Sequence, residues 1–132
     1  MTLAVTIVPV TPYQQNCSVV KCQATGKAAI VDPSGDIEKI LAAVEKMDAS
    51  VEKIILTHAH MDHCAASDIL RQQLGVPIEG PHEDDEFWLE GLPEACKMSG
   101  FPHADAFTPD RWLHQGDTVT VGGLELQVIH CP

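Results

Sequence analysis

An α/β fold with mixed sheets is what this sequence predicts, on three observations. Apolar segments parted by short polar turns open the chain, stripes at helical spacing then alternate with short apolar runs, and a hairpin pattern lies near the end. At 132 residues, without repeat, linker or low-complexity stretch, residues 1–132 read as one domain with room for a core.

The opening Met1 to Val10 is apolar but lacks a basic start and a cleavage signal, and Pro9 interrupts it, so it reads as a first strand and not a signal peptide. A polar loop, Thr11 to Gln15, leads into a second strand from Asn16 to Cys22. The turn Ala24-Thr25-Gly26-Lys27 leads into a third strand, Ala28 to Val31, completing an antiparallel meander. Asp32-Pro33-Ser34-Gly35 breaks the strand, and Ile37, Ile40, Leu41 and Val44 predict a helix from about Asp36 to Met47.

Val51 to Leu56 reads as a buried strand ending at Thr57. Ala66, Ile69, Leu70 and Leu74 then mark a helix that Gly75 ends, before a short strand at Val76-Pro77-Ile78. Glu83-Asp84-Asp85-Glu86 ahead of Phe87, Trp88 and Leu89 reads as a solvated first helical turn. Pro93 to Pro109, rich in turn residues, reads as an irregular lid or connection. Asp117 to Val121 and Leu124 to Ile129 alternate around Gly122-Gly123 as a hairpin.

Charge and cysteine usage narrow the function classes. Eight Lys and Arg against 19 Asp and Glu leave a net charge of −11, and the cations form no cluster. Nucleic acid and anionic membrane surfaces are therefore not expected partners, and no obligate protein partner is evident. Five cysteines without a C-x-x-C pair argue for a reducing compartment, hence the cytoplasm. Cys17 and Cys22, an odd number of residues apart in one strand, should face opposite sides of it. Cys64 reads as a small buried residue opening a helix, and His82, His103 and His114 as isolated surface or hydrogen-bonded residues.

The chemistry is concentrated in Thr57-His58-Ala59-His60-Met61-Asp62-His63, with three imidazoles and a carboxylate within six residues at a strand end. These are ligand types for Zn²⁺, Fe²⁺ or Mn²⁺. In extended backbone His58 and His60 point the same way and can grip one ion; a turn at Met61 would aim Asp62 and His63 at a second. The spacing thus predicts two metals clamping a shared hydroxide. Asp32, at a strand end before a turn, either caps a helix or bonds loop amides, or supports the metal loop from behind, and both can hold together.

The pattern His-x-His-x-Asp-His after an apolar strand resembles the signature of the metallo-β-lactamase superfamily. Gln15-Asn16-Cys17, Asp32-Pro33, Gly80-Pro81, Asp85 to Leu89, Gly91-Leu92-Pro93, Thr108 to Leu113 and His130-Cys131-Pro132 are similar, in order, to its small glyoxalase II-like (hydroxyacylglutathione hydrolase-like) branch. The resemblance implies an αβ/βα sandwich, two Zn²⁺ (or Fe or Mn in one or both positions) and hydrolysis of glutathione thioesters such as S-lactoylglutathione by a metal-bound hydroxide. It implies His58 and His60 on the first metal, Asp62 and His63 on the second with Asp62 also catalytic, and Asp32 behind them.

In that family His-Cys-Pro continues into Gly-His-Thr-Pro-Gly-His, so the sequence resembles the N-terminal part of a domain whose remaining ligands are expected beyond Pro132. His130 precedes that loop and does not match a ligand position. The 132-residue chain alone is expected to be inactive and to hold metal poorly, with His130 or Cys131 the first candidates should it prove otherwise. Two other readings stay open: an iron-dependent persulfide dioxygenase of the same superfamily, and a non-catalytic metal-binding fragment.

Overall fold

The computed structural model of the chain describes residues 3–10, 15–33, 37–57, 66–82, 85–99 and 107–127. Strands β1 (Leu3–Val10), β2 (Gln15–Cys22) and β3 (Lys27–Val31) form the expected antiparallel meander. Pro9 costs little, because β1 is the edge strand of a five-stranded sheet in sequence order. Helix α1 (Ile37–Lys46) returns the chain so that β4 (Ser50–Ile55) pairs parallel to β3. Helix α2 (Ser67–Leu74) repeats the move, and β5 (Ile78–Glu79) pairs parallel to β4. Gly75 closes α2 at φ 67°, a conformation costly for other residues, and its N–H bonds the Arg71 carbonyl at 2.8 Å.

The period-two geometry of strands sorts the sheet into two faces. On one lie Cys17, Ile30, Ile54, Leu56 and Ile78, packed with Ile40 of α1, Leu70 of α2 and, further on, Leu89 of α3 (Glu86–Glu90) and Leu92 and Cys96 of α4 (Leu92–Ser99). Each such side chain contributes about 1.5–3 kcal/mol by leaving water. The other face carries Ala29 and Ile55 under a two-stranded sheet, β6 (Thr118–Val121) and β7 (Leu124–Gln127), whose Val119 and Val121 close on them with Leu113. Cys17 and Cys22 are both buried, free thiols, and Val8↔Cys17 and Leu3↔Cys22 pairing puts them on opposite faces as expected. Helices on one face and the start of a second sheet on the other agree with the sandwich layering.

One expectation fails. Pro93 to Pro109 is not irregular throughout, because Leu92 to Ser99 is helical with Leu92 and Cys96 buried. Pro93 sits in the first turn, where its missing N–H would have had no helical partner, so it starts a helix instead of preventing one.

Candidate metal centre

Strands β3, β4 and β5 run parallel, so their carboxyl ends share one edge of the sheet, and the chain places Asp32, Thr57 and Gly80 there. The ligand residues proposed from sequence, His58, His60, Asp62 and His63, lie outside the described residues, as do Cys64, His103, His130 and Cys131. The residues that flank the segment 58–65 are described on both sides. Before it, the Asp32 carboxylate takes two hydrogen bonds from Thr57: the backbone N–H donates to Oδ1 at 2.8 Å and the hydroxyl to Oδ2 at 2.6 Å. After it, the Ala66 N–H donates to the Pro33 carbonyl at 3.1 Å. The dipeptide Asp32-Pro33 therefore holds both ends of the segment 58–65.

Asp32 is nearly buried and stands at φ 55°, a left-handed conformation that Asp tolerates better than most residues. Its N–H donates to the Ile55 carbonyl at 3.0 Å, which continues the β3–β4 ladder to the edge. Beneath it, burial and then the Asp32 charge push the Cys17 thiol up to about 12. The expectation that Asp32 bonds a loop amide holds at Thr57.

The neighbouring strand end is packed as tightly. Gly80 has φ 91°, and a Cβ there would run into the Leu56 carbonyl oxygen. Gly80 donates to the Arg111 carbonyl at 2.7 Å, and Leu113 to the Pro81 carbonyl at 3.0 Å, so the segment through Arg111 lies along the end of β5. Below the edge, Glu79 accepts Lys53 Nζ at 2.6 Å and Arg111 Nη1 at 2.8 Å. With both oxygens engaged by cations, this carboxylate can stay charged where it is nearly buried.

The same pairing adds a contact to residues read from the sequence as surface or hydrogen-bonded, and His114 is indeed exposed with Asp117 as its partner. His82 and His114, isolated in sequence, are neighbours here, their ring centroids 5.1 Å apart and their planes at 76°. The link is the Leu113–Pro81 hydrogen bond between segments 32 residues apart, for which local sequence holds no signal. Among the described residues no group of three His, Cys, Asp or Glu side chains converges to hold a metal. Nor, among them, is any helix long and apolar enough to cross a membrane.

Residues 10–132 match the metallo-beta-lactamase superfamily. The chain belongs to that family. Among curated proteins it is 41% identical over 127 residues to "Hydroxyacylglutathione hydrolase GloC" of Haemophilus influenzae, covering 96% of this chain and 59% of that protein. A "Hydroxyacylglutathione hydrolase" of Rhodospirillum rubrum is 32% identical over 114 residues, 86% of this chain and 37% of its own length. Two solved structures superpose with TM-scores of 0.82: the BLEG-1 B3 metallo-beta-lactamase at 29% identity, covering 98% of this chain and 62% of that one, and TTHA1623 in a di-iron-bound form at 30%, covering 96% and 61%. The chain thus spans between 37% and 62% of the length of these relatives. The family and the layered fold anticipated from the sequence are those found.

Proposed function

We propose that the complete domain to which these residues belong is a metal-dependent hydrolase of glutathione thioesters, of the S-lactoylglutathione type. The observation that carries this reading is the 41% identity to a hydroxyacylglutathione hydrolase across 96% of the chain, ligand loop included. The frame supports it: a donor set of three imidazoles and one carboxylate fits divalent cations of the Zn²⁺, Fe²⁺ or Mn²⁺ class, and Asp32-Pro33 fastens the loop at both ends.

In this reading His58 and His60 would hold one ion and Asp62 and His63 the other. Cations held there would supply Lewis acidity toward a thioester carbonyl and acidify a water. The Asp62 carboxylate would accept a hydrogen bond from that water and so orient it. Asp32 would act through Thr57, fixing where the chain leaves β4 toward the ligand residues. The leaving thiolate, from a thiol of pKa about 8.5, departs without a dedicated acid. A cytoplasmic location belongs to the same proposal, and the thiols of Cys17 and Cys22, neither in a disulfide, fit a reducing compartment.

The test is hydrolysis of S-lactoylglutathione by the full-length, metal-loaded protein and its variants. His58→Ala or His60→Ala is expected to lower the rate at least ~100-fold, since changes behind the ligands alone cost 10–100-fold. Asp62→Asn is expected to lose more rate than occupancy of the first ion. Retention by His60→Ala of more than about a tenth of the wild-type rate, against the ~100-fold expected, overturns the assignment.

A further inference from the structure

We propose that Ser67 is a positioning residue for the metal ligands: its hydroxyl accepts the second ring N–H of one of His58, His60 and His63 once an ion is held. This rests on the metal-binding part of the function proposed above. Ser67 is the first residue of α2 and is fully buried, and among the described residues its Oγ is a buried side-chain oxygen with no hydrogen-bond partner. A hydroxyl taken out of water without a partner works against folding, so a role elsewhere must keep it there. Capping its own helix is not that role. The hydroxyl that reaches the first N–H groups of a helix belongs to the residue before it, and that residue is Ala66. The Asp68 carboxylate beside it is already engaged, by Arg71 and Gln72.

Ser67, Leu70 and Leu74 recur at helical spacing as the stripe of α2 turned to the core, where Leu70 is fully buried and Leu74 packs against the cluster. Because α2 joins two parallel strands, β4 and β5, it runs back against them and starts at their carboxyl edge. The bond from the Ala66 N–H to the Pro33 carbonyl, at 3.1 Å, fixes that start beside Asp32-Pro33. Helical side chains lean toward the N-terminus of their helix, so the Ser67 hydroxyl leans toward the edge where the chain leaves at Thr57 and returns at Ala66. An imidazole that ligates through one nitrogen almost always gives its other N–H to an acceptor, which fixes the tautomer and the direction of the ring. The segment between Thr57 and Ala66 carries three imidazoles. A serine oxygen has the lone pairs to serve one of them.

The test uses the full-length protein, stripped of metal and titrated with Zn²⁺ against a chelator of known affinity. Ser67→Ala should bind the ion ~10-fold more weakly or worse, as groups behind metal ligands do. In the metal-free protein the same change should leave the urea midpoint where it was or raise it, because it deletes a hydroxyl that had no partner. A residue that only shapes the fold would lower both. Ser67→Thr keeps a hydroxyl and should restore the affinity, with circular dichroism checking that each variant folds. In the Zn²⁺-loaded protein, proton–nitrogen spectra of the histidine rings should show one slowly exchanging ring N–H that Ser67→Ala loses. A wild type that holds Zn²⁺ while Ser67→Ala holds it as tightly, as it would if a buried water satisfied the hydroxyl, overturns the proposal and leaves the metal centre standing. So does a midpoint that falls in the metal-free variant. A wild type that takes up no ion overturns the metal reading itself, and this role with it.

Discussion

Asp32 ties its own strand end to Thr57, just before the residues proposed as metal ligands, and both oxygens are used in doing so. Removing the carboxylate in Asp32→Ala leaves a backbone N–H and a hydroxyl of Thr57 without their acceptor, a loss of about 1–3 kcal/mol. Denaturant unfolding is expected to show that loss, with metal affinity falling ~10–100-fold; an unchanged affinity would mean that the loop does not depend on this anchor. The sequence marked Asp32 as a strand-end carboxylate but could not show its partner 25 residues on, because that pairing exists only once β3 and β4 lie side by side. The thiols were still less legible. Cys22 drops from 9.0 to about 7, first through the Thr25 hydroxyl and then the Gly123 N–H, which together outweigh burial; Cys17 rises to about 12. Between about pH 7 and 9 the unfolded chain keeps a Cys22 proton that the folded chain has lost, so this thiol's contribution to stability grows with pH and is lost as pH falls through 7. Above 9 the sign reverses, because the folded chain keeps the Cys17 proton and that contribution is lost as pH rises toward 12. Urea midpoints measured under reductant should therefore climb from pH 7 to 9, and Cys22→Ala should flatten that limb; an unchanged climb would assign it to other groups.

Element by element, local periodicity was enough wherever one face alone is buried. The stripe Ile37, Ile40, Leu41, Val44 led to a helix expected over Asp36 to Met47 and found over Ile37–Lys46. The alternation around Gly122-Gly123 led to the β6–β7 hairpin. It failed at Pro93, where a residue that usually interrupts a helix instead starts one over the buried Leu92 and Cys96. Non-local contacts between elements left no trace in periodicity, and the junction of β4 and β5 is the sharpest case. A methyl group at Gly80 meets the Leu56 carbonyl, which is backbone of a residue whose N–H is bonded to the Glu79 carbonyl, while φ 91° adds strain of its own. Gly80→Ala is expected to cost at least about 2 kcal/mol, with the damage centred where the chain leaves β4 at Leu56 and Thr57. Hydrogen exchange should show faster exchange at the Leu56 and Thr57 amides. Protection left intact there would mean that the two strand ends are not mechanically joined.

At the scale of the whole molecule the sheet is covered unevenly, and solubility follows from that. Among the described residues, helices cover one face, while β6 packs over β2, β3 and Ile55 of β4 on the other. The register places Val5, Ile7 and Val20 on this second face, toward the β1 edge; Val5 is 52% and Ile7 58% exposed. Apolar side chains on a strand at the edge of the described sheet invite another chain to pair or pack there. The negative charge works against this by holding copies apart, but only over a distance that salt shortens to about 10 Å at 0.1 M. The 132-residue chain is therefore expected to self-associate, and more strongly as salt is added, the opposite of an association driven by charge attraction. Val5→Thr with Ile7→Thr keeps β-branched residues on the strand while replacing apolar surface with hydroxyls, so it should restore a monomer without unfolding the sheet. Sedimentation at several protein and salt concentrations, with circular dichroism as the check on folding, reads both effects. A wild-type chain that stays monomeric at high salt would mean that this face is too small or too well covered to drive association, and a folded double variant that associates as strongly as wild type would move the contact to another surface.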